Sequence, residues 1–282
     1  MATPKQPTVI GRGLGGELRM LREARKMSCK EVASQLGWQA SKISRMETGK
    51  QGIRPADVAS LLVIYRVIGK DRERLVKLAE RSDDIGYWEH QTALSDESKT
   101  LMRIEREATE IVNYEPLVLP GLVQTADYIR ALMRAGNVPA ADVDSRVAAR
   151  LARQVILTKD VPPVLRMIVD EFVLRRVLGS PKVMARQLRH ILEATEQSTT
   201  TVQVLPLSLH GHSGLDGSFV LMDFERNKPV VYLDHKVSGL FLEEEAHIEF
   251  FRAETDTLGG LALSPAKSAE LVATIAREHD RE

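Results

Sequence analysis

A chain of 282 residues, 43% hydrophobic and 28% charged, can bury a core without covalent staples, and its length suits a small domain joined to a larger one. No apolar run approaches the ~20 residues needed to cross a bilayer. The N-terminus "MATPKQPTVIGRGLGG" lacks the apolar stretch of a signal peptide, and the single cysteine, Cys29, excludes an internal disulfide, so no membrane partner and a cytoplasmic location are expected. The zero formal net charge hides an asymmetry: residues 1–82 hold 17 Lys and Arg against 8 Asp and Glu, and the remainder 22 against 31. A basic block on an acidic one suits a polyanion-binding module joined to something else.

The glycine-rich "GRGLGG" at 11 follows no strand, so residues 1–11 read as a flexible arm. Leu14, Leu18, Leu21 and Ala24 then share one face of a helix running from about Leu14 to Lys26. Ser28 precedes Glu31 by three residues, the capping-box spacing, and opens a second helix that presents Val32, Ala33 and Leu36 inward. Gly37 ends it in a sharp turn. A third helix starts near Gln39, with Ile43 and Met46 inward and Ser41, Lys42, Ser44 and Arg45 left on a polar, basic face. Gly49 closes it, Pro55 opens a fourth helix carrying Val58, Leu61, Leu62 and Tyr65, and a fifth runs from Asp71 to about Arg81.

Two short helices joined by a tight glycine turn form the unit that enters a major groove. The run "LREARKMSCKEVASQLGWQASKISRMETGK" resembles the XRE (Cro/C1-type) helix-turn-helix domain in Ala33, Gly37 and "SRMETG" at 44 to 49. The expected partner is therefore double-stranded DNA. Gln39, Ser41 and Arg45 can reach base edges, Arg45 by chelating a guanine. Lys42, Lys50 and Arg54, with the backbone amides near Ser28 and Lys30, suit phosphates. Ala40 stands where relatives often carry a glutamine, and offers only apolar contact. Cys29 replaces a common phosphate-binding glutamine; it reads as a small packed hydrophobe, with a redox-sensing thiol as the other possibility. By the same resemblance Glu47 turns inward to pair with Arg22. One module reads few base pairs, so a homodimer on a near-palindromic operator is expected.

Residues 83–98, "DDIGYWEHQTALSDES", read as a connector with Tyr87 and Trp88 as docking points. A helix is predicted over Lys99 to Tyr114, then a Pro- and Gly-broken stretch, a helix capped by Thr125 and ended by Gly136, one over Ala141 to Thr158, and one opened by Ser180-Pro181 with Met184, Leu188 and Ile191 inward. Strand-like runs are "VLRMIV" at 164, "TTTVQVLPL" at 199, "SFVLMDF" at 218 and "VVYLD" at 230, the last two forming a hairpin around "RNKP". Two helices, about Glu243 to Thr257 and Pro265 to Glu278, finish the chain. The predicted fold class is mainly α: a five-helix domain over 12–82 and a larger α+β domain over 99–282 with a mostly antiparallel sheet.

The strongest enzyme-like constellation is His210, His212 and Asp216 on the loop "LHGHSGLDGSF", but no HExxH, CxxC, GxSxG or Walker loop accompanies it. Neither an enzyme, a metal nor a cofactor is expected. The runs "YEPLVLPGLVQTADYIRALMRAG", "RVAARLARQVILT", "TVQVLP", "GLDGSFVLMDF" and "VVYLD" together resemble the C-terminal domain of the actinobacterial WhiJ-like XRE regulators. That resemblance implies a transcription regulator, usually a repressor, bound to DNA at the nucleoid. It also implies an antitoxin-like gene arrangement with a small acidic partner protein encoded next door. The alternative reading gives the domain a small-molecule pocket lined by the 206–217 loop and the Leu117–Leu122 segment.

Overall fold

The computed structural model describes residues 9–80, 87–90, 96–235 and 238–281. The chain divides into two compact units, residues 1–87 and 88–282.

The first unit is five helices: α1 (Val9–Ala24), α2 (Cys29–Leu36), α3 (Ala40–Glu47), α4 (Pro55–Ile64) and α5 (Gly69–Glu80). Its core follows most of the predicted apolar faces, with Leu14, Leu18, Val32, Ile43, Met46, Val58, Leu61, Leu62, Tyr65 and Leu75 buried, Leu21 and Leu36 half-buried against them, and Ala24 exposed instead. Residues 1–8 of the expected arm lie outside the described residues, but the arm does not reach residue 11: α1 already starts at Val9 and takes in the "GRGLGG" run. The reason is packing. A Cβ on Gly15 would stand 2.3 Å from the Met46 carbonyl oxygen, so the glycine lets the end of α3 approach the α1 backbone, and the apparent linker glycine is a contact glycine.

The second unit is built on a mixed sheet ordered β1-β7-β6-β5-β2-β3-β4. Strands β2 (Glu110–Glu115), β3 (Val164–Asp170) and β4 (Thr200–Leu205) run parallel. Strands β5 (Phe219–Asp223), β6 (Val230–His235) and β7 (Ser238–Leu242) continue antiparallel from β2, and β1 (Tyr87–His90) lies beside β7. The side chains of Tyr87 and Trp88 lie outside the described residues. Helix α6 (Asp96–Glu107) precedes β2; α7 (Ala126–Ala135) and α8 (Ala140–Gln154) make the crossover to β3. The short α9 (Glu171–Arg175) and α10 (Pro181–Thr195) make the crossover to β4, and α11 (Glu245–Leu261) and α12 (Pro265–Arg281) complete the unit. Parallel neighbours require such long crossovers.

One helix boundary needs correction. The helix expected to reach Tyr114 stops at Glu107, and "EIVNYE" is the interior strand β2, buried from Ile111 to Tyr114. A strand covered on both faces shows no alternation of apolar and polar residues, so its period did not separate it from the helix before it. The sheet is mostly antiparallel as expected, with three of the described strand pairings antiparallel against two parallel ones, and β2 joins the two parts. The unpredicted β7, "SGLFL", pairs with β6 from Val231↔Leu242 to His235↔Ser238. The outer edge of β4 is occupied too: the Ser268 hydroxyl accepts from the Val204 amide at 3.0 Å, and the Leu263 amide donates to the Val204 carbonyl at 2.9 Å.

Candidate nucleic-acid interface and a ligand-sized cavity

Helix α2 begins with the complete capping box: the Glu31 amide donates to Ser28 Oγ at 3.2 Å, and the Ser28 amide donates to Glu31 Oε2 at 2.7 Å. It ends at Gly37 with φ 66°, the left-handed conformation that turns the chain toward α3. The Arg22–Glu47 pair then ties α1 to the end of α3. Arg22 Nε and Nη2 each donate to one Glu47 oxygen at 2.7 Å, and the two side chains are only 10% and 3% exposed. The third free donor of the same guanidinium, Nη1, reaches the Met27 carbonyl at 2.7 Å. This bidentate pair fixes α3 against α1.

On that frame Gln39, Ser41 and Arg45 are exposed. Ser41 and Arg45, one helical turn apart, share a face of α3. Arg45 Nε contacts Gln51 Oε1 at 3.2 Å, a weak exposed bond that leaves its guanidinium on the surface. Lys30, Lys50 and Arg54 are exposed as well, on α2 and in the segment between α3 and α4.

Three expected site residues fall elsewhere. Lys42 is not a free phosphate contact: its Nζ pairs with Asp57 Oδ1 at 2.8 Å and sits 3.6 Å from the centre of the Trp38 ring, so its charge is spent on joining α3 to α4. Asp57, the missed partner, looked in the sequence like an ordinary acidic residue in the first turn of a helix. Ala40 is half-buried and packs against the core of the domain, where a longer polar side chain would lose that contact. Ser28 has both its amide and its hydroxyl directed to the Glu31 carboxylate, so its amide is not offered to a phosphate. The thiol of Cys29 is half-buried with Sγ 3.8 Å from Glu47 Oε2, and burial and the carboxylate push its pKa up. A sensing thiol needs the opposite shift, so the structure supports the packed-hydrophobe reading.

Residues 14–75 match the family model described as a helix-turn-helix domain, in agreement with this geometry. Residues 98–274, well over half of the chain, match the family described as Domain of unknown function (DUF5753). The chain belongs to the DUF5753 family. No curated protein matches it. Among solved structures, that of TrmBL2, an archaeal chromatin protein whose structure shows a novel mode of DNA binding, aligns at 10% identity over 84% of this chain and 88% of that one. Its TM-score is 0.31, a value at which the likeness carries no argument about fold or function.

In the DUF5753 region, the 206–217 loop lines a cavity as expected, but of the Leu117–Leu122 segment only Leu117 does, and Asp170 and Phe172, which the sequence did not single out, join it. A cavity of about 510 Å³ is lined by Pro116 and Leu117, by Asp170 and Phe172, and by the loop from Pro206 to Gly217. These segments follow the carboxyl ends of β2, β3 and β4. His212 turns its side chain, 5% exposed, toward Asp170, with Nε2 3.3 Å from Oδ2. Asp170 also accepts from the Phe172 amide at 2.8 Å and so caps α9. The loop lies close on β2, since a Cβ on Gly214 would stand 2.5 Å from the Tyr114 hydroxyl. His210, His212 and Asp216 all line the cavity, but among the described residues no group of three or more His, Cys, Asp or Glu could hold a metal ion. The His212–Asp170 contact spans 42 positions and had no linear signal. Among the described residues, no helix is long and apolar enough to cross a membrane.

Proposed function

We propose that this DUF5753 protein is a sequence-specific, DNA-binding transcription regulator of the WhiJ-like kind, a repressor that acts in the cytoplasm as a homodimer on a near-palindromic operator. The observation that carries the reading is the α2–α3 unit, whose α3 is held to α1 by Arg22–Glu47, with Ser41 and Arg45 exposed on one face of α3 in a domain rich in Lys and Arg. Paired domains half a site apart would supply the specificity that one domain cannot. The larger unit would receive the signal, from a small acidic protein encoded nearby, and would perform no catalysis. Mapping the sites occupied by the full-length protein across its genome tests the reading. Reproducible sites sharing an inverted repeat are expected; none at physiological salt would sink it. Capture of the neighbouring gene's product tests the partner.

A second reading has a specific observation in its favour. The cavity at the carboxyl ends of three parallel strands is where open α/β sheets bind ligands, and its volume lies in the range of small-molecule sites. On this reading the larger unit is a ligand sensor for the same DNA-binding domain.

A further inference from the structure

The chemistry of the cavity is one-sided, and it narrows the class of ligand; the inference rests on the sensor reading and is independent of DNA binding. One part of the wall is apolar. Leu117, Phe172, Leu207 and Leu215 surround the opening and are left substantially exposed, Leu117 and Leu215 at 66% and 67%. Four large apolar side chains kept in water around one concavity mark a surface that something covers.

The polar part of the wall is made of Asp170, His210, His212 and Asp216, and among the described residues no Lys or Arg lines the cavity. Carboxylates only accept hydrogen bonds. His212, more than nine-tenths buried, has Nε2 against Asp170 and Nδ1 without a hydrogen-bond partner. If Nε2 donates to Asp170, Nδ1 is a lone pair, a further acceptor. The wall therefore offers mainly acceptors and two carboxylates, with the His210 imidazole as its one side chain with a further N–H to donate. Phe172 adds an aromatic face that already takes a cation: the Arg176 guanidinium, which is not among the lining groups, lies 4.4 Å over its ring.

We propose that this cavity binds a small molecule with an apolar body and a protonated amine, the body covered by Leu117, Phe172, Leu207 and Leu215 and the amine turned to Asp216 and Asp170. Asp216 is an exposed residue on a single turn, Ser213–Asp216, so its replacement leaves the fold intact, whereas Asp170 also caps α9.

Three matched probes test the proposal on the full-length protein with labelled leucine methyl groups: 2-phenylethylamine, 3-phenylpropanoate and 2-phenylethanol. The amine is expected to shift the Leu207 and Leu215 methyl resonances saturably and to bind at least about tenfold more tightly than the carboxylate. Asp216→Asn should weaken the amine about fivefold or more, and Leu215→Ala should weaken amine and alcohol alike. Equal or tighter binding of the carboxylate, amine binding unchanged in Asp216→Asn, or no shift of those methyls by any probe overturns the assignment. DNA binding measured on the same preparations separates the two readings: a cavity that fails while specific DNA binding persists leaves the regulator standing, and the reverse outcome leaves the cavity.

Discussion

Arg22 and Glu47 meet across 25 residues in a two-pronged, nearly dry ion pair, and the helix that presents Arg45 ends at Glu47. Removing one partner leaves the other charge buried without compensation. Arg22→Ala or Glu47→Ala should therefore destabilise the N-terminal unit by about 3–5 kcal/mol, measured by urea denaturation of the full-length protein with a probe in that unit. A loss below about 1 kcal/mol would mean that water already screens the pair.

The exposed cations divide by role. Arg45→Ala should relax base preference at one operator position. Lys50→Ala and Arg54→Ala should weaken all sequences alike and reduce the salt dependence of binding by about one ion each. Lys42→Ala should leave the salt dependence nearly unchanged, because Asp57 already holds its ammonium, while lowering the stability of the domain. Titrations of operator and random DNA at several salt concentrations distinguish these outcomes. A salt slope lowered by one in Lys42→Ala would show that its pair with Asp57 opens on DNA.

Gly15 is a packing residue. Gly15→Ala would bring a methyl against the Met46 carbonyl and should cost about 1–3 kcal/mol, despite the better helix propensity of alanine. Thermal denaturation checks this, and a stabilised variant would show that α1 and α3 are farther apart than the geometry gives.

Glu115, at the end of β2, is pushed up to about 8 by burial, against the opposing pull of the Asn113 amide, which donates to its Oε1 at 3.3 Å. Between its ordinary value of 4.5 and about 8, the folded protein keeps a proton that the unfolded chain has lost. Stability from this group is thus present below pH 4.5 and is lost as pH rises through about 8. Glu115→Gln should remove that slope and gain relative stability at pH 9, read from denaturation curves at pH 5 and pH 9. An identical pH dependence in both proteins would place the carboxyl in water.

The Cys29 thiol, raised by burial and by the Glu47 carboxylate, should alkylate at pH 7 more slowly than free cysteine. Operator binding should survive mild peroxide. Loss of binding that a thiol reductant restores would return Cys29 to a sensing role.

Much of the first unit was legible because its signals are local. Capping at Ser28–Glu31, the left-handed Gly37 and the apolar spacing of Leu14, Leu18, Ile43, Met46, Leu61 and Leu62 act within one or two turns of chain, and each element closes as it reads. Even Arg22–Glu47 followed from a resemblance in which both positions are marked. The Lys42–Asp57 pair did not, because nothing in either neighbourhood distinguishes a solvated charge from a paired one.

In the larger unit the sequence by itself determined the capped helices and the strands that alternate or are β-branched, together with the 206–217 loop and Leu117 at the cavity, but not Asp170 and Phe172. Only the tertiary structure decided that "EIVNYE" is an interior strand, that three strands run parallel, and that His212 meets Asp170. The physical reason is range. Periodicity and caps report energies between neighbours in the chain, whereas strand direction and the meeting of loop ends come from burying whole faces together, which no short window contains.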